Sequence, residues 1–456
     1  MTAAPASDAE ALSCAIAGRY AGRWARSVAR GASGGEDGAP APAPWFVDGF
    51  AGADLQRAAL RGATPTAAAV IAVQALDDAA AGRARVVLMD EDPGLVARLA
   101  EELEAVGASS RVRIASDPAS AEPGEIVLVE APFASHAHRL AERMADGPAL
   151  VRLAPLAARS LPWTALAPVA RLPAADVLLR FPREDFEKQA RFTGPLADLP
   201  PHLRRVVEGC SGFLGDARHG WLSAWRQAQR EAGPDAALAT AVERMQALLA
   251  AGGERFTHAL RVEGEGGPVH LLLCSPHAER PLELNGAVAD EGVRQKPPPR
   301  RKPAARAKVE PPRAPASLTE PAEPPPTDAS PAPEEPRAAE DATAVLDLFA
   351  LPAEPEPEPR GPDLAAFAND LHARHLGARV PVRDLLAGVA DSGLAPEQVR
   401  AALASLKRAG RVSYRSLDAE GAEVEFLAQP RVAAPRPRRP RKPASGELGL
   451  FDEPEE

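Results

Sequence analysis

The sequence predicts an α/β protein: a doubly wound sheet, then a disordered Pro-rich linker and a small winged-helix domain. Three observations lead to this fold class. Short apolar segments alternate with amphipathic helical segments over residues 45–295, as in a parallel sheet wound on both faces. Residues 296–361 are too rich in proline and charge to form a core. Residues 362–430 regain helical periodicity and end in a hairpin pattern.

Composition limits the class of protein. The chain has 456 residues, enough for about three domains. Its 49 prolines are too many for one compact fold, so part of them must lie in linkers. The net charge of −10 argues against a surface coated uniformly for nucleic acid.

The patterns of cysteine, histidine and apolar residues bear on compartment and metal binding. Three cysteines lie far apart without a CxxC motif, which favours a reduced, cytoplasmic protein without a zinc site. The histidine pairs 136/138 and 270/277 have no acidic or cysteine partner at ligand spacing, so we expect no metal. The sequence has no signal peptide and no apolar run of bilayer length, so no membrane contact is expected.

Residues 1–44 are expected to form a helix and a flexible connector. Apolar side chains recur every four residues from Leu12 to Val28, which is the spacing of an amphipathic helix. The connector that follows, GASGGEDGAPAPAP, is rich in glycine and proline and is expected to be disordered.

The chain is organised around the segment from Trp45 to Pro93. A short apolar strand runs into Asp48 and a turn with glycines at 49 and 52. Glycine permits positive φ and lets a ligand approach the backbone closely. A helix and a second strand at 86–89 follow, and that strand ends in acids beginning with Asp90. Strand, glycine turn, helix, and strand with an acid at its tip form a nucleotide-binding βαβ unit.

This unit resembles the S-adenosylmethionine pocket of class I methyltransferases. The resemblance implies a Rossmann-like, methyltransferase-type sheet in which the glycine turn faces the methionine part and Asp90 takes the ribose hydroxyls. A later acid, Asp117, stands where methyltransferases often contact the adenine. A packed strand-turn-helix without a ligand is the alternative, and the acid at the second strand tip favours a nucleoside site. The candidate cofactor-binding residues are Asp48, Gly49, Phe50, Gly52, Asp90 and Asp117.

The remaining elements of the α/β domain follow in alternation. Helices are predicted at 66–78, at 95–106, after the fourth strand as far as Met144, and over much of 182–258. On the FPRED helix, Arg183, Glu184 and Lys188 are expected near the ligand side of the sheet, or simply on a polar helix face. Further strands are predicted at 112–115, 126–129, 149–153, 177–179, 257–262 and 269–274.

Five short motifs, in order, resemble the three-Cys-motif partner protein family. They are FVDGFAGA, MDEDP, FPREDFEKQARF, GFLGDARHGW and HLLLCSPH, within residues 10–290. Members of this family are bacterial proteins commonly encoded beside a protein with a three-cysteine motif. The resemblance implies that such a protein is a partner of this chain, and that the α/β domain is methyltransferase-like.

Two departures from the family pattern bear on catalysis. Ala53-Asp54 stands where the family has a further glycine, and Asp54 adds a negative charge beside the expected methionine carboxylate. The fourth strand ends in Ala131-Pro132-Phe133, where methyltransferases have Asp-Pro-aromatic, with Glu130 one position early. Glu130, Pro132 and Phe133 are the remaining catalytic candidates. Either the protein is a methyltransferase-like enzyme acting with its partner on or near nucleic acid, or it is a non-catalytic adaptor.

The C-terminal domain carries basic residues on its third helix and hairpin. A winged helix can place such a helix in a major groove, but it can also dock protein, and an acidic hairpin tip favours docking. Basic clusters at 296–308, in the linker, and 436–442, in the disordered basic-then-acidic tail 431–456, favour nucleic acid nearby. The candidate nucleic-acid-binding residues are Arg400, Lys407, Arg408 and Arg411.

Two short apolar segments stand out in the linker and the tail. Residues 345–349 and 447–451 share the pattern x-Leu-x-Leu-Phe. Large apolar side chains in a Pro/Glu-rich context suggest burial by a partner. Both segments resemble the peptide by which bacterial replication and repair proteins bind the sliding clamp, although both lack its opening glutamine. Chance, or docking onto this protein's own domains, is the alternative.

Overall fold

A computed structural model of the chain describes residues 8–32, 42–60, 67–80, 82–188, 196–292, 363–417, 419 and 421–429. The predicted linker at 296–361, the tail at 431–456 and both x-Leu-x-Leu-Phe segments lie outside the described residues. The same holds for the two basic clusters and for most of the predicted N-terminal connector.

A mixed sheet of eight strands forms the centre of the described α/β part. Its inner strands are buried on both faces, which is why they are continuous apolar runs in the sequence. The strands are β1 (Trp45–Asp48), β2 (Arg85–Asp90), β3 (Val112–Ile114), β4 (Ile126–Glu130), β5 (Ala149–Leu153), β6 (Ala175–Arg180), β7 (Phe256–Val262) and β8 (Val269–Ser275).

The order of these strands places the switch point of the sheet beside β1. The order is β3-β4-β2-β1-β5-β6-β8-β7, and β8 is antiparallel to both of its neighbours. From β1 the chain passes to its neighbour β2, then to the edge strand β3 and back to β4 between them, before it crosses to β5 on the other side of β1. In open α/β sheets, ligands bind outside the carboxyl ends of the strands at such a point. The arrangement is compatible with a Rossmann-like fold.

Helices cover both faces of the sheet because residues alternate sides along each strand. Phe46 and Leu88 pack under one layer of helices, and Val47 and Val87 pack under the other. The first layer contains α1 (Ala9–Ala32), α3 (Ala68–Ala80), α4 (Pro93–Ala105) and α11 (Arg280–Asp290). The second contains α5 (Phe133–Met144), α6 (Trp163–Ala170), α8 (Pro201–Phe213), α9 (Gly220–Ala232) and α10 (Pro234–Ala250). Two short helices follow β1 and β6, namely α2 (Ala53–Ala59) and α7 (Arg183–Lys188).

The N-terminal helix α1 belongs to the core. Tyr20 and Trp24 are fully buried against the sheet and α3. Gly18 lets the two helices approach closely, since a Cβ there would lie 2.4 Å from Ile71 Cγ2. The amphipathic spacing read from Leu12 to Val28 therefore marks a face of the α/β fold.

The FPREDF and GWLSAW motifs form an aromatic cluster in the second layer. Phe186 packs on Trp221 with ring centroids 5.1 Å apart and on Phe181 at 4.8 Å. Phe213 and Trp225 complete the group. These motifs are thus accounted for by packing.

The described residues of 363–429 form three helices and a three-stranded antiparallel sheet with an apolar core. The elements are α12 (Leu364–Arg374), β9 (Arg379–Pro381), α13 (Val382–Val389), α14 (Pro396–Arg408), β10 (Val412–Ser413) and β11 (Glu423–Phe426). The helices and the hairpin β10–β11 were predicted, while β9, which pairs with β11, was not. Leu282 of α11 joins the apolar core of this domain, and Asn285 Nδ2 donates to Ala390 O at 2.8 Å.

Candidate functional site

The glycine turn after β1 is joined to the tip of β2 by hydrogen bonds. The backbone N–H of Gly52 donates to Asp90 Oδ2 at 3.0 Å, and the N–H of Asp92 donates to Asp90 Oδ1 at 3.0 Å. The N–H of Ala51 donates to Met89 O at 2.9 Å. The two features singled out in the sequence therefore meet at the carboxyl edge of the sheet.

Both glycines are required by close packing. Gly52 has φ −84°, and neither it nor Gly49 adopts positive φ. A Cβ on Gly52 would lie 2.6 Å from Leu95 Cβ and 2.8 Å from Asp90 Oδ2. A Cβ on Gly49 would lie 2.7 Å from the Phe133 ring. The expected need for unusual backbone dihedrals is not observed, and at Gly49 the core alone accounts for the residue.

Asp90 is the candidate cofactor residue that is best placed for a ligand. Its side chain lies at the strand tip with 9% of the residue exposed, and burial raises the pKa of its carboxyl. Each of its oxygens accepts one backbone hydrogen bond and keeps a further lone pair. The carboxylate could thus accept hydrogen bonds from ribose hydroxyls without losing its bonds to the turn.

Asp48 does not reach the surface, contrary to its expected role in cofactor binding. It is fully buried, and its carboxylate accepts from Arg152 Nη1 at 2.6 Å and from the backbone N–H of Phe50 at 3.1 Å. Burial raises the pKa of Asp48, and the guanidinium of Arg152 opposes that shift. Asp48 therefore holds the turn in place from the interior of the protein, while Phe50 in the turn is half-buried.

Asp54 belongs to the same buried ion network. Its two oxygens accept from Arg152 Nη2 at 2.6 Å and Arg57 Nη1 at 2.8 Å. Burial raises the pKa of Asp54, but the two guanidinium groups outweigh it and lower the pKa to about 2. The charge of Asp54 is compensated inside the protein, so the expected conflict with a ligand carboxylate does not arise. Arg57 also donates to the carbonyl of Ala154, just past β5.

The catalytic candidates lie at or just after the end of β4, a strand that does not flank the switch point. β4 pairs with β2 and β3 and does not touch β1. Glu130 is exposed and stands beside Asp90 in the parallel register. Phe133 is fully buried beneath Gly49, with its ring 6.4 Å from that of Phe50. Pro132 is exposed and precedes the first turn of α5.

The strand that does flank the switch point is β5, and it carries no acid at its tip. β5 pairs with β1 along its length and is followed by Ala154 and Pro155. The side-chain acceptor that methyltransferases place at that strand end is therefore missing here too. The sequence order of strands had suggested β4 for this position.

Asp117 is also separated from the other candidate cofactor residues. It follows β3, and β4 lies between that strand and β2. Its carboxylate accepts from the backbone N–H of Ala119 at 3.0 Å and from Arg139 Nη2 at 2.6 Å. Its observed role is to begin a short 3-10 turn.

Two of the four candidate nucleic-acid residues make internal contacts. Lys407 Nζ donates to Tyr414 O at 2.7 Å and lies 4.0 Å from the centre of that ring. Arg411 donates to the side chains of Asn369 and His372 and so ties β10 to α12. Arg400 and Arg408 lie on the exposed side of α14, opposite its buried leucines.

The described ranges contain neither a metal-binding cluster nor a membrane-spanning helix. No group of three or more His, Cys, Asp or Glu side chains there could hold a metal ion. None of the described helices is long and apolar enough to span a bilayer.

The sequence did not single out the arginines that organise this edge. Arg152 on β5 and Arg180 on β6 are each 5% exposed, and Arg180 pairs with Glu10 of α1. Each of these apolar strands, ALVRL and ADVLLR, contains one arginine in the sequence. Because a charged side chain is rarely buried unless it is paired, this pattern could have indicated buried ion pairs.

Comparison with known proteins assigns this chain to no family. No family model matches the chain, and no curated protein matches it. Among solved structures, the chain is similar to one described as cofactor-bound Rv0187 from MTB, with 13% identity and a TM-score of 0.28. That similarity covers 59% of this chain and 90% of the other. A TM-score this low supports no conclusion about this chain.

Proposed function

We propose that the α/β domain binds S-adenosylmethionine, or a closely related adenosine compound, between the turn after β1 and the tip of β2. In this proposal the protein is a methyltransferase-like member of the three-Cys-motif partner family, acting with a three-cysteine-motif protein on or near nucleic acid. The observation that carries the ligand assignment is the hydrogen bond from Gly52 to Asp90, which holds a strand-tip carboxylate beside a glycine turn.

The ligand would use three features of this edge. Ribose hydroxyls would donate to the free lone pairs of Asp90, the pairing expected of an acid at a second strand tip. The half-buried ring of Phe50 offers an apolar surface beside it. The lack of a Cβ at Gly52 lets the backbone of the turn lie directly against the Asp90 carboxylate, since a Cβ there would be 2.8 Å from Asp90 Oδ2.

Titration calorimetry of the full chain with S-adenosylmethionine and its demethylated product tests this assignment. Asp90→Ala should weaken binding about tenfold or more, since hydrogen bonds to a charged group contribute about 1.5–3 kcal/mol each. Glu101→Gln, which removes one charge from an exposed position of α4, should bind like the wild type. Absence of binding heat from the wild type at sub-millimolar ligand would refute the assignment.

The second candidate function is a non-catalytic adaptor for the same partner. The absence of an acid at the tip of β5, together with the burial of Phe133, favours it. Incubation of the full chain, its partner and nucleic acid with methyl-labelled S-adenosylmethionine separates the two. Label in the nucleic acid or the partner supports the enzyme, whereas ligand binding without transfer supports the adaptor.

The C-terminal domain would serve either function as a tether. Its helices and antiparallel strands occur in the order of a winged helix, which supports the proposal that α14 contacts duplex DNA. The segments 345–349 and 447–451 would add a weak bivalent link to a sliding clamp. Both proposals place the protein near replication or repair machinery.

A further inference from the structure

A cavity lies at the carboxyl edge of the sheet, beyond β5 and β6. Its volume is about 250 Å³, and its lining carries four basic side chains and one acid. A liquid water occupies about 30 Å³ and drug-sized sites begin near 300 Å³, so the cavity is somewhat smaller than a drug-sized site but has room for a group of a few atoms. The basic side chains are Arg159, Lys188, His202 and Arg205, and the acid is Asp185. We refer to this site as the basic cavity.

Three separate segments bring these groups together. The 3-10 turn after β5 supplies Arg159, and α7, which follows β6, supplies Asp185 and Lys188. The first two turns of α8 supply His202 and Arg205. The N-cap residue of α8 is a proline, whose side chain forms no capping hydrogen bond with the first turn. The cap therefore does not offset the partial positive charge at this end of the helix.

The acid of the cavity is already engaged. Asp185 is 6% exposed; it accepts from the backbone N–H of Ala158 at 2.8 Å and from Lys188 Nζ at 2.9 Å. It therefore fixes the turn after β5 to α7 and neutralises only the lysine.

Positive charge remains after this pairing. Within the described ranges, neither Arg159 nor Arg205 forms an ion pair with a carboxylate, although the chain carries a net charge of −10. Like charges that face one cavity repel, and an anion between them relieves the repulsion. The guanidinium group is the side chain best suited to bidentate contact with phosphate oxygens.

We propose that the basic cavity binds the phosphate group of a small phosphate-bearing ligand. The cavity lies outside the carboxyl ends of parallel strands, where α/β sheets hold their ligands. Arg159 and Arg205 contact the phosphate oxygens, and Lys188 and the first turn of α8 add positive potential. This site is distinct from the nucleoside site at Asp90 and does not depend on it.

Phosphorus NMR of the full chain tests the site with two probes, inorganic phosphate and adenosine 5′-monophosphate. Saturable broadening is expected for at least one probe below about 10 mM. The double variant Arg159→Gln/Arg205→Gln should weaken binding about tenfold or more. The matched control Arg143→Gln/Arg230→Gln removes the same charge from exposed helix positions outside the cavity and should leave binding unchanged.

The two probes identify the source of the phosphate. Tighter binding of the nucleotide that persists in Asp90→Ala assigns the cavity to a nucleotide phosphate, whereas binding of the nucleotide by Asp90→Ala no tighter than that of inorganic phosphate assigns it to free phosphate. No saturable binding of either probe, or equal binding by the double variant and the control, overturns the proposal. Asp90→Ala should leave phosphate binding intact, and Arg159→Gln/Arg205→Gln should leave S-adenosylmethionine binding intact, so failure of one site is distinguished from failure of the other.

Discussion

At the scale of single residues, most buried charges of the α/β domain are paired, and His270 is a buried basic group that is not. His270 is 8% exposed on β8, and its Nδ1 has no hydrogen-bond partner. Burial, together with the nearby charges of Arg261 and Arg183, lowers the pKa of His270 to about 4. The folded protein therefore holds this imidazole neutral at pH values where an unfolded chain would protonate it.

This difference predicts a pH-dependent stability. Since the pKa in the folded state lies below the ordinary value of 6.5, the unfolded state binds more protons between pH 6.5 and about 4. The contribution of His270 to the free energy of unfolding is fully present above pH 6.5. It decreases by on the order of 3 kcal/mol as the pH falls from 6.5 to about 4. Urea unfolding at several pH values should show His270→Leu losing less stability on acidification than the wild type. An exposed-site control, His138→Gln, should follow the wild type; parallel pH profiles for all three would contradict the assignment.

The sequence identified chemistry-bearing residues better than it identified their roles. Gly52 and Asp90 were expected to bind one ligand, and the structure brings them into contact, because a turn after one parallel strand lies beside the tip of its neighbour. Asp48 was expected at a ligand, but Arg152 neutralises it inside the fold. The residue that determines its role is 104 positions away along the chain, and nothing local to Asp48 indicates it.

At the scale of elements, the contact between α1 and α3 predicts opposite effects on stability for Gly→Ala at two helical positions, so that the cost of tight packing can be separated from the gain in helix propensity. Gly→Ala within a helix usually stabilises by about 0.5–1 kcal/mol. At Gly18 the new methyl would lie 2.4 Å from Ile71 Cγ2, so Gly18→Ala should destabilise by about 1–3 kcal/mol instead. Gly212 in α8 has open space around its Cα, and Gly212→Ala should give the usual stabilisation. Thermal unfolding compares the two, and a gain in stability at both sites would mean that α1 does not pack this closely.

The strands and helices were easier to predict than the order in which the strands lie next to each other in the sheet. Apolar runs and helical periodicity indicated the central strands and most helices, since both patterns are set by local burial. The spatial order was not accessible, because β4 and β5 are equally apolar and only the full set of crossovers places β5 beside β1. The catalytic motif was consequently sought at the end of β4.

At the scale of the whole molecule, positive charge is concentrated locally on an acidic chain. The basic cavity is one such place, and the outer side of α14 with Arg400 and Arg408 is another. The two parts that carry them are in contact. Asn285 and His258 of the α/β part meet the 3-10 turn that follows α13, and His258 Nδ1 lies 3.3 Å from Asp391 Oδ1.

If α14 contacts DNA, the salt dependence of binding should report it. Each phosphate contact adds nearly one to the slope of log affinity against log salt concentration. For the full chain and a short duplex, Arg400→Gln/Arg408→Gln should lower that slope by roughly two, while Lys407 is left in place because it holds Tyr414. Arg143→Gln/Arg230→Gln removes the same charge elsewhere and should leave the slope unchanged. Equal slopes for both double variants would mean that α14 makes no phosphate contact, and the domain would then be better explained as a surface for docking protein.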